Sequence, residues 1–173
     1  MSTLSVNNVT EVGGAPVVTN GVLDSGSLPT GSILQVVRTT DTTERSTTSN
    51  TFVDTGMSVS ITPNSSSSKI IVLFSAYAFP VSSGASSMVQ RVQLTTSADV
   101  ALSGAEGSPL GATGATDTSI TRYANMVVIG YHEPGSTSEQ TYKAKFVADQ
   151  ANVTARLRNG SMTGQMYAIE VAG

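Results

Sequence analysis

The chain has 173 residues, of which 39% are hydrophobic and only 12% charged, with 16 Gly, no Cys and no Trp. That length suffices for one domain with a real core, and the net charge of −3 gives no basic footprint for nucleic acid. Without cysteine there is no disulfide framework, no thiolate metal site and no Cys nucleophile. Ser, Thr, Asn and Gly take the place of the missing charge, which disfavours exposed helices and suits sheets and turns.

Residues 1–30 do not carry the pattern of an independent fold. Their apolar side chains Leu4, Val6, Val9, Val12, Val17, Val18, Val22 and Leu23 come singly or in pairs among Asn, Thr, Ser and Gly. They are too dispersed for a core and too many for a solvated tail. An extended N-terminal arm that orders on a partner is therefore expected. No basic segment followed by an apolar stretch marks a secretory signal. No apolar run approaches the roughly 20 residues a membrane helix needs.

Residues 31–173 read as strand after strand. Ser32–Arg38 is entered through Pro29-Thr30-Gly31, and the polar stretch Asp41–Asn50 is a connection. In Phe52–Thr62 the residues Met57, Val59 and Ile61 face one way, with Ser58, Ser60 and Thr62 opposite. Lys69–Phe79 is apolar on both faces, as in a central strand covered on both sides. Met88–Thr95 alternates less cleanly and Val100–Leu102 is short. Ser103–Thr118, carrying Gly104, Glu106, Gly107, Gly111, Gly114 and Asp117, reads as one long loop. Ile120–His132 is the longest strand, with Met126 and Val128 opposite Val127, Ile129 and Tyr131. Gln140–Ala148 turns Tyr142, Ala144 and Phe146 inward and Lys143 and Lys145 outward. Val153–Arg158 ends at Asn159-Gly160, the strongest hairpin dipeptide in the chain, and Gln165–Val171 closes the domain. About eight antiparallel strands without a helical period describe an all-β sandwich or jelly roll. The second apolar faces of Ile70–Phe79 and Ile120–Tyr131 are covered either by loops or by neighbouring subunits.

Little in the sequence points to catalysis. His132, the single histidine, sits beside Glu133 and Pro134 at a strand end and lacks a nucleophile motif. The glycine-rich stretch has no Lys-Ser or Lys-Thr ending and is not a phosphate loop. Asp24, Asp41, Asp54, Asp99, Glu106 and Asp117 fall in turns or strand ends, where Asp caps or solubilises. No spacing suggests a calcium loop. No catalytic, cofactor or metal site is expected. Arg156 and Arg158, with Lys143 and Lys145, read either as one basic stripe for an acidic sugar or acidic partner, or as solvated edge residues.

Four segments carry a family resemblance: LSVNNVTEVGGAPVVTNG, LPTGSILQVV, FVDTGMSVSITPNSSSSKIIV, and YAIEVAG at the C-terminus, the first lying in the arm. Together they resemble small tail-fibre-type virion proteins of marine bacteriophages, cyanophages among them. The similarity runs through both termini and the first strands, whereas Ser82–Ser119 has no matching pattern. The resemblance implies a homotrimeric virion protein with a β-sandwich head, made in the bacterial host cytoplasm and joined to other virion proteins by its N-terminal arm. On this view the loops, chiefly Ser103–Thr118 and secondarily Ser82–Ser87, contact a host surface glycan or protein. A capsid decoration protein and a carbohydrate-binding or glycan-hydrolysing domain are the alternatives; the absence of Trp weighs against the last.

Overall fold

A computed structural model describes residues 9–10, 16–19, 22–23, 28–84, 87–113 and 120–173. Within the first thirty residues, β1 (Val9–Thr10), β2 (Pro16–Thr19) and β3 (Val22–Leu23) pair antiparallel with one another in a ladder of their own. This part of the arm is thus a short meander, not one extended segment; Leu4, Val6 and Val12 lie outside the described residues.

The head is built from β4 (Ile33–Asp41), β5 (Arg45–Thr47), β6 (Val53–Ile61), β7 (Lys69–Ala78), β8 (Val81–Ser82), β9 (Ser87–Thr96), β10 (Ser108–Thr113), β11 (Ile120–Thr121), β12 (Ala124–His132), β13 (Gln140–Ala148), β14 (Val153–Leu157) and β15 (Gly164–Val171). The described residues include no helix. A smaller sheet has the order β10-β9-β13-β6. A larger sheet has the order β11-β8-β14-β7-β15-β4, with β12 also paired to β7 and β5 to β14. Every pairing is antiparallel.

The inner faces follow the period of two. Met57, Val59 and Ile61 from β6, Val92 and Leu94 from β9, and Tyr142, Ala144 and Phe146 from β13 meet Ile70, Val72, Phe74, Ala76 and Ala78 from β7. Met126 and Val128 from β12, Ala155 and Leu157 from β14, and Met166 and Ala168 from β15 complete the core. Each fully buried Leu, Ile, Val or Phe contributes about 1.5–3 kcal/mol. Leu102 and Ala105 plug the side beside β12. A Cβ on Gly130 would stand 2.8 Å from Leu102 Cβ, so only glycine lets that plug close.

Four sequence expectations change. First, Ser103–Thr118 is not one loop. Ser108–Thr113 is an edge strand paired residue by residue with Val92 through Ser87, and Ser103 bridges Tyr131. Second, the connection 41–50 contains β5, which pairs with β14. Third, Ile120–His132 is two strands on different neighbours, β11 on β8 and β12 on β7. Fourth, Asn159-Gly160 makes no hairpin: β14 and β15 lie one after the other along the same side of β7, with Leu157 opposite Ala78 and Gln165 opposite Ser75. Neither Asn159 nor Gly160 takes the positive φ that a two-residue hairpin turn requires. Asn159 is instead buried, donating from Nδ2 to Asp41 Oδ2 at 3.1 Å, and a Cβ on Gly164 would collide with its side chain.

Candidate functional site

The outward face of the larger sheet is the most unusual surface of the head. β4, β15, β7 and β12 lie side by side, and their registers set outward residues in rows across all four strands. One row runs Val36, Ile169, Ile71, Tyr131; the next runs Arg38, Tyr167, Leu73, Ile129; a third runs Thr40, Gln165, Ser75, Val127. Ile33 and Val171 extend the field at one end. The side chains on edge strands β4 and β12 are open to solvent: Ile33 is 64% exposed, Val36 53%, Val127 59% and Ile129 54%. Those on β7 and β15 are half-buried by their neighbours in the sheet.

Of the two expected covers for the second apolar face of Ile70–Phe79 and Ile120–Tyr131, covering by the described loops does not occur. The expected central strand is central in its sheet, between β15 and β12, but only one of its faces is sealed. The apolar members of the first two rows, with Val127, Ile33 and Val171, at strand spacings of about 4.8 Å and row spacings of about 6.8 Å, give an apolar field of roughly 330 Å². That matches the largest patches of ordinary monomers, which are often interaction sites.

The expected contact loop separates into parts with different roles. Gly104 has φ of +80° and its N–H donates to Glu106 Oε1 at 3.1 Å. The Glu106 carbonyl accepts from Gln93 Nε2 at 2.8 Å. Gly107 lies near Phe52 and Arg91, and Gly111 pairs with Val89 inside the sheet. Gly104, Glu106, Gly107 and Gly111 are therefore framework residues of the smaller sheet. Gly114 and Asp117 lie outside the described residues. Thr113 and Ile120, which flank 114–119, pair with Ser87 and Ser82.

The charged candidates are divided between the two sheets. Lys143 and Lys145 project from the smaller sheet and both bind Asp99, at 2.7 and 3.0 Å. Hydrogen bonds from Lys143 and then Lys145 hold the Asp99 carboxyl below its ordinary value. Arg156 and Arg158 belong to the larger sheet, so the single four-residue basic stripe does not form. Asp41 and Asp54 do act as turn caps, accepting from Thr43 N at 2.9 Å and Gly56 N at 2.6 Å.

His132 is half-buried, with Nδ1 3.0 Å from the hydroxyl of the buried Tyr142. Burial pushes the imidazole below its ordinary value and pushes the Tyr142 phenol up. The pair has no nucleophile beside it and serves as a packed polar contact. Among the described residues no group of three or more His, Asp or Glu is placed to hold a metal ion.

Sequence reasoning missed a buried carboxylate. Glu170 has no exposed surface, yet it points inward from β15 with Oε1 accepting from Asn64 N and Ser68 Oγ, both at 2.6 Å. Its Oε2 accepts from Gln35 Nε2 at 2.6 Å and Asn64 Nδ2 at 2.8 Å. Burial pushes the carboxyl up, but the four donors outweigh it and hold the group below its ordinary value. The carboxylate ties β4, the β6–β7 turn and β15 together under the apolar field.

Together these features define an all-β sandwich with one unsealed apolar face and no assembled catalytic centre among the described residues. No family model matches the chain, and no curated protein matches it.

Proposed function

We propose that this chain is a non-enzymatic structural protein of a bacteriophage virion, of tail-fibre or spike type, which self-associates as a homotrimer. The observation that carries the self-association is the unsealed row structure Val36-Ile169-Ile71-Tyr131 and Arg38-Tyr167-Leu73-Ile129 on four adjacent strands. The phage assignment rests on the resemblance of the arm, the first strands and the C-terminal YAIEVAG to small phage fibre proteins.

Magnitudes tie the arm to the face. A stable interface buries about 800 Å² on each partner, more than twice the apolar field. The dispersed apolar residues of the arm, from Leu4 to Leu23, supply further surface of the right chemistry. In this reading the arm docks on the particle or a neighbouring copy, and the sandwich end where Thr113 pairs with Ser87 and Ile120 with Ser82 faces outward to the host. Immunogold labelling of purified particles with antibody to the head tests the assignment. Gold along tail fibres supports it, gold spread over the capsid replaces it with a decoration role, and particles without label overturn it.

A further inference from the structure

Beyond the apolar field, the outward face of the same sheet ends in a half-open cleft of about 460 Å³ between β5, the end of β7 and β14. Its walls are Glu44, Arg45, Ser46, Phe79, Arg156 and Arg158. Arg156 on β14 and Arg158 just past its end, where Arg158 N still donates to Tyr77 O at 2.8 Å, are two residues apart in extended chain and flank the same cleft. Their guanidinium carbons lie 5.8 and 5.1 Å from the centroid of the Phe79 ring. The Tyr123 ring packs on Phe79 at 4.4 Å and Tyr77 stacks on Tyr123 at 6.0 Å. An aromatic floor thus braces two cations.

The cations are not equally engaged. Arg45 is held by Asp41 at 3.1 Å and lies against Gly56, whose φ of +74° and missing Cβ make room for it. It forms the back wall. Arg158 makes one long contact, Nε to Glu44 Oε1 at 3.5 Å, which leaves most of its five N–H donors over. Arg156 has no carboxylate within ion-pair distance among the described residues. Two adjacent guanidinium forks, one free and one barely used, match a carboxylate in bidentate geometry.

We infer that this cleft binds a carboxylate-bearing sugar unit of an acidic saccharide, with Arg156 and Arg158 on the carboxylate and Glu44 and Ser46 on the hydroxyls. Three features select a sugar acid over other anions. The volume falls within the range of small-molecule sites. Glu44 is acceptor-only when ionised; it receives hydroxyl donors, which a sugar acid offers beside its carboxylate and which sulfate and a glutamate side chain lack. The bracing by Phe79 fixes the guanidinium planes in advance and lowers the ordering cost of binding. The chain's net charge is negative, so binding here comes from local geometry and not from a general basic field. The inference is independent of the fibre assignment.

Calorimetric titration of the full-length protein with trigalacturonate tests it, with maltotriose, sodium sulfate and a tri-glutamate peptide as comparators. Trigalacturonate is expected to bind with a dissociation constant in the range of about 1 mM or tighter, and maltotriose not to bind. Free galacturonate is expected to bind more weakly at the same site, which separates a single acid unit from a polymer. Arg156→Gln is expected to weaken trigalacturonate at least about tenfold, Arg156→Lys to restore part of the loss, and Lys69→Gln, remote on β7, to change nothing. Arg156 is exposed, so the variants' melting curves should overlay the parent's. Absence of trigalacturonate binding, equal binding by Arg156→Gln, or equally tight binding of sulfate or the peptide would each overturn the inference.

Discussion

Replacing Glu170 by Gln changes one atom and should be among the most costly single substitutions in the head. The carboxylate accepts four hydrogen bonds from three residues while wholly buried. An amide turns one acceptor oxygen into a donor that faces two other donors. If the new NH₂ takes the Oε1 position it meets Asn64 N and Ser68 Oγ, and the backbone N–H cannot turn away. If it takes the Oε2 position it meets Gln35 Nε2 and Asn64 Nδ2. Asn64 can flip, but flipping Gln35 breaks its bond to Thr62 O at 2.7 Å. One to two buried donors stay unsatisfied, at about 1–3 kcal/mol each, which gives a loss of about 2–4 kcal/mol. For a head of this size the melting temperature should fall by roughly 6–14 °C. The pH dependence is the sharper part. The folded carboxyl lies below its ordinary value of 4.5, so its contribution is complete above that pH and is lost as pH falls through the folded value. Urea unfolding of parent and variant at pH 7 and at successively lower pH should show a gap that narrows only below about pH 4.5. A gap under about 0.5 kcal/mol at pH 7, or one that stays constant down to pH 3, would show that the Glu170 carboxylate does not hold this junction together.

Gly130→Ala should destabilise the head by about 1–3 kcal/mol, because the added methyl overlaps Leu102 in a sealed part of the core; an unchanged urea midpoint would contradict this. His132 is held below its ordinary value of 6.5 by burial. Its stabilising contribution is therefore complete above pH 6.5 and is lost as pH falls toward the folded value, and His132→Gln should flatten the stability slope between pH 7 and 5. Ile129→Asp, at the open edge of the apolar field, should leave the circular dichroism spectrum intact while converting oligomer to monomer on a sizing column; an unchanged elution volume would remove this face from the interface.

The sandwich was legible because its strands obey a simple period. Met57, Val59 and Ile61 alternate with Ser58, Ser60 and Thr62, and the core takes the first set without exception. The same alternation marked Val127, Ile129 and Tyr131 as a second face, and it is the face left open. What the sequence hid depends on long-range partners or on weak local signals. Arg45–Thr47 has no apolar residue to announce a strand; it pairs because β14 offers an edge. Ser108–Thr113 holds a Pro and a Gly, which lower strand propensity, but register with β9 decides. Asn159-Gly160 carries the local signal of a hairpin, and burial of the Asn159 side chain against Asp41 overrides it. Glu170 stands between Ile169 and Val171 like any outward charge of a strand. Its donors come from residues 35, 64 and 68, at separations that no window of sequence spans. Asp99 likewise gathers Lys143 and Lys145 across a fold-dependent distance.

Sedimentation velocity of the 173-residue chain at micromolar concentration measures the self-association itself. A single species of three times the 17.7 kDa chain mass is expected, formed by burial of the outward face of the larger sheet. A stable, folded monomer with Val36, Leu73 and Ile129 still open to water would contradict it.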